Sequence, residues 1–137
     1  MTSNKKDPFN IENIEMVIIR DLVGMICNED LEVKAELIGK PREEDQDKIL
    51  NYLNHGIRWN AAASLKGCDF CNEFAGPKTY LMDGTWLWPK FIQHYIEVHS
   101  LQLPEEFVRH IRDMQYEVPI AEAKRILDLP SSELKFE

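Results

Sequence analysis

The chain has 137 residues, 44% of them hydrophobic and 29% charged, which is enough for one domain with a real core and excludes wholesale disorder or a miniprotein held only by disulfides. Sixteen Lys and Arg stand against 24 Asp and Glu for a formal charge of −8. The acidic excess is present in both halves, and without clustered basic residues to neutralise phosphates a nucleic-acid partner is disfavoured. No apolar run approaches the ~20 residues of a membrane span, and the polar Met1–Asp7 has no signal-peptide core behind it, so the expectation is a soluble cytoplasmic protein.

The first expected element is a helix over residues 10–26, where Ile11, Ile14, Ile18, Leu22 and Met25 recur at steps of three and four. Leu31, Val33, Ala35 and Leu37 alternate with charged residues in a strand pattern, although Ala, Glu and Lys are poor strand formers and a helix is also open. Ile49, Leu50, Tyr52 and Leu53 predict a second helix, closed by Gly56 as C-cap. Residues 57–66 read as a helical connection or ordered loop. Asp83-Gly84 between Tyr80–Met82 and Thr85–Trp88 predicts a β-hairpin, because this pair suits a tight turn with positive φ. Pro89 ends the second strand, and Phe91, Ile92, Tyr95, Ile96 and Val98 give a helix over 89–99. Pro104 and Pro119 open two further amphipathic helices, Pro130 stops the last, and Ser131–Glu137 reads as a loose tail.

The chemistry concentrates in Cys68-Asp69-Phe70-Cys71 and the later His94 and His99, a C-x2-C-x22-H-x4-H pattern. Two thiolates on a tight turn and two imidazoles on one helix offer the four N/S donors of a tetrahedral structural zinc site. On an ideal helix His94 and His99 are about 140° apart, so the last turn must bring them together. A redox Cys68/Cys71 pair is the competing reading, but that chemistry favours a C-x2-C that opens a helix, whereas Asn72–Pro77 reads as loop. Cys27 has no neighbouring histidine, and His55 and His110 read as surface or helix-end residues. Glu97 lies between the two histidines, but H-x2-E-x-H matches no metallohydrolase spacing, and four protein ligands leave no open coordination position. Trp86, Trp88, Phe91 and Tyr95 are expected as structural residues packed around the site.

Gly67-Cys68-Asp69-Phe70-Cys71, Asp83-Gly84-Thr85-Trp86-Leu87-Trp88-Pro89, His94-Tyr95-Ile96-Glu97-Val98-His99 and Leu103-Pro104-Glu105-Glu106-Phe107 resemble a family of small, uncharacterised bacterial proteins. That family's pattern is C-x2-C, D-G-x-W-x-W-P, H-Y-V-x-x-H and L-P-x-x-F. The resemblance covers residues 49–111 and implies a zinc-binding cysteine/histidine module without implying an activity. Asp69 and Asn72 depart from the basic residue and glycine frequent at those two positions.

The fold expected from these observations is α+β: a mostly helical single domain with a short β-hairpin and a zinc-finger-like unit of knuckle, hairpin and helix. Residues 1–66 would form its N-terminal helical part, 67–103 the zinc-binding unit, 104–130 the C-terminal helices and 131–137 a tail. The function expected is non-enzymatic binding of another protein, with an inhibitor or immunity-type protein of a basic partner suggested by the acidic charge. A small zinc hydrolase or a thiol redox protein is the alternative.

Overall fold

The structure, a computed structural model, describes residues 16–60 and 64–137. Its strands are β1 (Val17–Asp21), β2 (Ile57–Arg58), β3 (Leu65–Gly67), β4 (Phe74–Pro77), β5 (Tyr80–Met82), β6 (Trp86–Pro89) and β7 (Leu134–Phe136). Its helices are α1 (Val23–Ile26), α2 (Gln46–Asn54), α3 (Ile92–His99), α4 (Glu105–Asp113) and α5 (Ile120–Leu127), with 3-10 turns at Ala35–Leu37 and Ser131–Glu133. The described chain is only 37% helical, which overturns the expectation of a mostly helical domain. A mixed five-stranded sheet, ordered β2-β5-β6-β1-β7, forms the centre, and β3 and β4 make a separate two-stranded ribbon.

Four expectations depart from the structure. The helix over 10–26 is replaced, where the structure describes it, by β1 and the single turn α1; Ile11 and Ile14 lie outside the described residues. Val17-Ile18-Ile19 is a β-branched run that favours extended backbone, and its real face is set by period two: Ile19 is fully buried while Ile18 is 48% exposed. The strand read over Leu31–Leu37 contributes only an isolated bridge, Val33 to Cys27, before the chain tightens into a 3-10 turn. Instead of a loose tail, Leu134–Phe136 pairs in parallel with β1, with Val17 opposite Leu134 and Ile19 opposite Phe136. The connection over 57–66 likewise contains two short strands, β2 and β3.

The β5–β6 hairpin forms with Leu81 opposite Trp88 and Met82 opposite Leu87. Gly84 takes φ +98° in its turn, and the Asp83 carboxylate accepts the Thr85 and Trp86 amides at 2.9 and 2.7 Å. This hairpin belongs to the main sheet and not to the cysteine unit. Alternation along its strands supplies both sheet faces. Trp86 and Trp88 point toward α2 and α4, where Trp88 meets Tyr52 and Phe107 at ring-centroid distances of 6.0 and 5.6 Å. On the opposite face Leu87, Met82 and Ile19 pack with Ala123 and Ile126 of α5. Helix α2 appears as the sequence predicts, but His55 is its C-cap. Gly56 serves close packing instead: a Cβ there would stand 2.5 Å from Cζ2 of Trp88.

Candidate metal centre

The turn between β3 and β4 carries both cysteines of the C-x2-C pair, and α3 carries both histidines. Three backbone features shape the turn. Cys68 N–H donates to the Glu73 carbonyl at 2.9 Å. Phe70 N–H donates to Cys68 Sγ at 3.3 Å, and the strand register shifts between Lys66 and Gly67. On the other side, α3 ends directly after His99 because Ser100 adopts a left-handed conformation, φ 53°. Helical side chains lean toward the N-terminus, so His99 in the last turn reaches back along the axis and its ring centroid comes within 5.3 Å of that of His94.

The ligand atoms of Cys68, Cys71, His94 and His99 all lie within 4.8 Å of one another, and no other group of three or more Cys, His, Asp or Glu among the described residues does so. Cys68 Sγ is 3.3 Å from His99 Nε2, and Cys71 Sγ is 3.5 Å from His94 Nε2. With Zn–S and Zn–N bonds of about 2.3 and 2.0–2.1 Å, the sulfur–nitrogen edge of a tetrahedron is about 3.6 Å, so the four donors fit one small ion. The Glu73 amide, the largest influence on the Cys71 thiol, lowers its pKa, yet burial and the adjacent Cys68 leave it raised. Two neighbouring thiolates need a cation between them.

Behind these ligands is an anchor that the sequence reading missed. Asp69 Oδ2 accepts the Val33 amide at 2.9 Å and the Tyr95 hydroxyl at 3.0 Å. Its Oδ1 meets Lys66 Nζ at 3.0 Å. The Asp69 amide donates in turn to Tyr95 Oη at 3.2 Å. One residue thus ties the cysteine turn to α3 and to the segment after α1. Burial acts to raise the Asp69 pKa, and the bonds from Val33, Lys66 and Tyr95 outweigh it and hold the carboxyl below its ordinary value. Lys66 is itself buried, with Nζ 5.6 Å from the centroid of Phe91 and 5.9 Å from that of Tyr95. The only sequence signal for this anchor was Asp69 itself, a carboxylate inside the C-x2-C turn.

The four aromatic residues expected around the site divide. Tyr95 contacts it directly, its ring 5.7 Å from His94 and 6.1 Å from His99, and Phe91 stacks behind Tyr95 at 6.2 Å. Trp86 packs instead on Phe107 at 4.7 Å, with the Arg20 guanidinium 4.5 Å over its ring, and Trp88 donates its indole N–H to the Leu53 carbonyl. Both tryptophans belong to the core between the sheet and α2–α4.

Cys27 is apart from the cluster and 5% exposed, and burial pushes its thiol up to about 11. Glu97 is exposed on α3 and not in the four-residue group. His55 is at a helix end, its Nδ1 2.6 Å from the Asn51 carbonyl. His110 is in the last turn of α4, as a helix-end residue, but it is not on the surface: its side chain is 15% exposed and its Nε2–H donates to Asp83 Oδ2 at 2.8 Å. No helix among the described residues is long and apolar enough to cross a membrane. Comparison with protein-family models, with curated proteins and with solved structures gave no match.

Proposed function

We propose that this chain is a non-catalytic binding protein in which a structural zinc ion staples the β3–β4 turn to α3, and that it acts in the cytoplasm on another protein. The observation that carries the reading is the convergence of Cys68, Cys71, His94 and His99 within 4.8 Å. Cys68 and Cys71 would supply two thiolates and His94 and His99 two imidazole Nε2 atoms, and the ion would supply cross-linking without a free position for substrate. Asp69, Lys66 and Tyr95 orient the turn that presents the sulfurs. The formal charge of −8 suits a basic partner, since opposite charge speeds encounter, and an inhibitor or immunity-type role fits that balance. The family resemblance supports the zinc assignment without adding an activity.

A concavity of about 200 Å³ opens beside Cys68 and Cys71, so the hydrolase and thiol-redox readings are tested alongside. Protein purified without chelator is expected to carry one zinc per chain by elemental analysis, and Cys68→Ser/Cys71→Ser to carry none, while Cys27→Ser and His110→Ala keep it. Full metal retention in the double variant overturns the site. A metal-dependent turnover, or a Cys68–Cys71 disulfide that cycles under mild oxidant, would replace the binding reading with an enzyme.

A further inference from the structure

A pit of about 30 Å³ opens where the segment after the Ala35–Leu37 turn crosses the end of α3, and none of the four candidate metal ligands lines it. Backbone bonds build the crossing: Gly39 N–H donates to the His99 carbonyl at 2.9 Å, Lys40 N–H to that of Ser100 at 3.1 Å, and Gln102 N–H to that of Leu37 at 2.8 Å. The floor is aliphatic, made of Ile49, Ile96, Leu101, Leu103 and Val108, all of them buried.

One buried polar side chain shares that wall. Gln46, the first residue of α2, is only 8% exposed. Its amide has no hydrogen-bond partner among the described residues, yet neither amide atom is sealed from solvent, so it opens into the pit that it lines. Burial restricts this amide to whatever enters the pit, and a polar partner there offsets its desolvation.

The charge left free at the mouth is positive. Lys40 is exposed and pairs with no carboxylate among the described residues. The carboxylates nearby are committed: Glu43 and Asp45 to Arg112 at 2.7 and 2.9 Å, and Asp47 to Arg42 at 2.8 Å. Helix α2 has no side-chain cap, so its N-terminal amides add positive potential beside Gln46. Ser100, left-handed at φ 53°, brings an unpartnered hydroxyl to the same mouth.

We propose that this pit binds a short aliphatic carboxylate, free in solution. The Gln46 amide and the Ser100 hydroxyl donate to the carboxylate, Lys40 balances its charge, and the alkyl tail lies on Ile49, Ile96, Leu103 and Val108. Size sets the tail: a water-sized group needs about 10–15 Å³ of such space, so the pit takes about two to three carbons below the carboxylate. The inference goes beyond the binding-protein reading and stands or falls apart from the metal centre.

The test titrates full-length protein, carrying isotope-labelled amide and methyl groups, with sodium acetate, propionate, butyrate and hexanoate at constant ionic strength, and follows it by NMR. Butyrate is expected to shift the Gln46 side-chain amide and the Ile49 and Ile96 methyl signals saturably, with a dissociation constant of about 1 mM for a ligand this small. Affinity should rise about fourfold per carbon from acetate to butyrate and stay level to hexanoate. Butyramide, of the same shape without the charge, should bind about tenfold more weakly or worse. Gln46→Leu is expected to abolish saturation while leaving the melting temperature equal or higher, because it removes an unpartnered buried amide. Lys40→Ala should weaken butyrate about threefold, and Lys124→Ala on α5 should change nothing. If Gln46→Leu misfolds, the tail series, butyramide and Lys40→Ala decide. No saturation up to about 50 mM, far above the expected constant, overturns the proposal and leaves a hydrated depression. Equal binding of butyrate and butyramide, or indifference to Lys40→Ala, overturns it as well. A peptide ending in valine that binds at the same signals more tightly than butyrate, and only with its terminal carboxylate free, would overturn the free acid in favour of a partner's chain end.

Discussion

Asp69 and Asp83 do similar work in two regions of very different construction. Each accepts a tyrosine hydroxyl, at least one backbone amide and a basic side chain: Tyr95, Val33 and Lys66 for Asp69; Tyr52, Thr85, Trp86 and His110 for Asp83. Around Asp83, Trp88, Tyr52 and Phe107 are fully buried, and the hydrogen bonds sit on an apolar core that provides most of the stability. Around Asp69 the ribbon leaves Leu65 51% and Phe74 69% exposed. This thinner burial offsets less of the entropy of ordering its strands, and the Asp69 cross-links, with a metal if the four-residue cluster holds one, make up the difference. One region is held by packing with polar registration, the other by polar contacts and thinner packing beside a cluster that could hold a metal.

The sharpest way to break this comparison is Asp83→Ala. It strands the Tyr52 hydroxyl, the His110 ring and two amides in a site 1% exposed, and removing one partner of such a buried network costs roughly 3–5 kcal/mol. Urea unfolding followed by tryptophan emission is expected to show a single transition at a much lower midpoint, with zinc still bound in the folded fraction. A midpoint within error of the parent would mean that the apolar core alone fixes the hairpin.

Chelation should produce the next largest effect, confined to the other region. Removing the metal is expected to abolish hydrogen-exchange protection over residues 64–77 and the end of α3, while amides of β1, β5 and β6 stay protected. Tryptophan emission should change little, since Trp86 and Trp88 pack against Phe107 and Tyr52. Uniform loss of protection across the sheet would show that the two regions fold as one unit.

These differences also explain what could be read in advance. The β5–β6 hairpin and helices α2 to α5 follow from local signals: Asp83-Gly84, proline starts and apolar periodicity. The four candidate ligands were legible because their donors are few and their spacing constrained. β1 was misread because Ile18 and Leu22 fit a helical stripe by coincidence, and only pairing with β6 and β7 decides for a strand. β7 is three residues long and exists because β1 offers it an edge. Asp69 and His110 escaped notice because Tyr95 and Asp83, which they bond, lie 26 and 27 residues away along the chain; Lys66, three residues from Asp69, is the one local partner. Trp86 and Trp88 were placed at the metal centre because they are close to it in sequence, although alternation along β6 aims them at α2 and α4.

The smallest effect, and the one that separates charge from shape at Asp83, is its pH dependence. Burial acts to raise the Asp83 pKa, but bonds from His110, Tyr52 and the Trp86 and Thr85 amides prevail and leave it below its ordinary value of 3.8. A carboxyl whose pKa is lower folded than unfolded adds stability that is fully present above about pH 4 and is lost as the pH falls through the folded value. Asp83→Asn keeps the shape and one acceptor oxygen but cannot carry the charge. At pH 7 it should therefore be less stable than the parent by roughly 1–3 kcal/mol, with the gap narrowing steadily below pH 4 because only the parent loses a charge there. Equilibrium urea unfolding of both proteins across this range measures the gap. A constant gap would assign the contribution of Asp83 to hydrogen-bond geometry alone, and make the core region no more dependent on charge than its packing suggests.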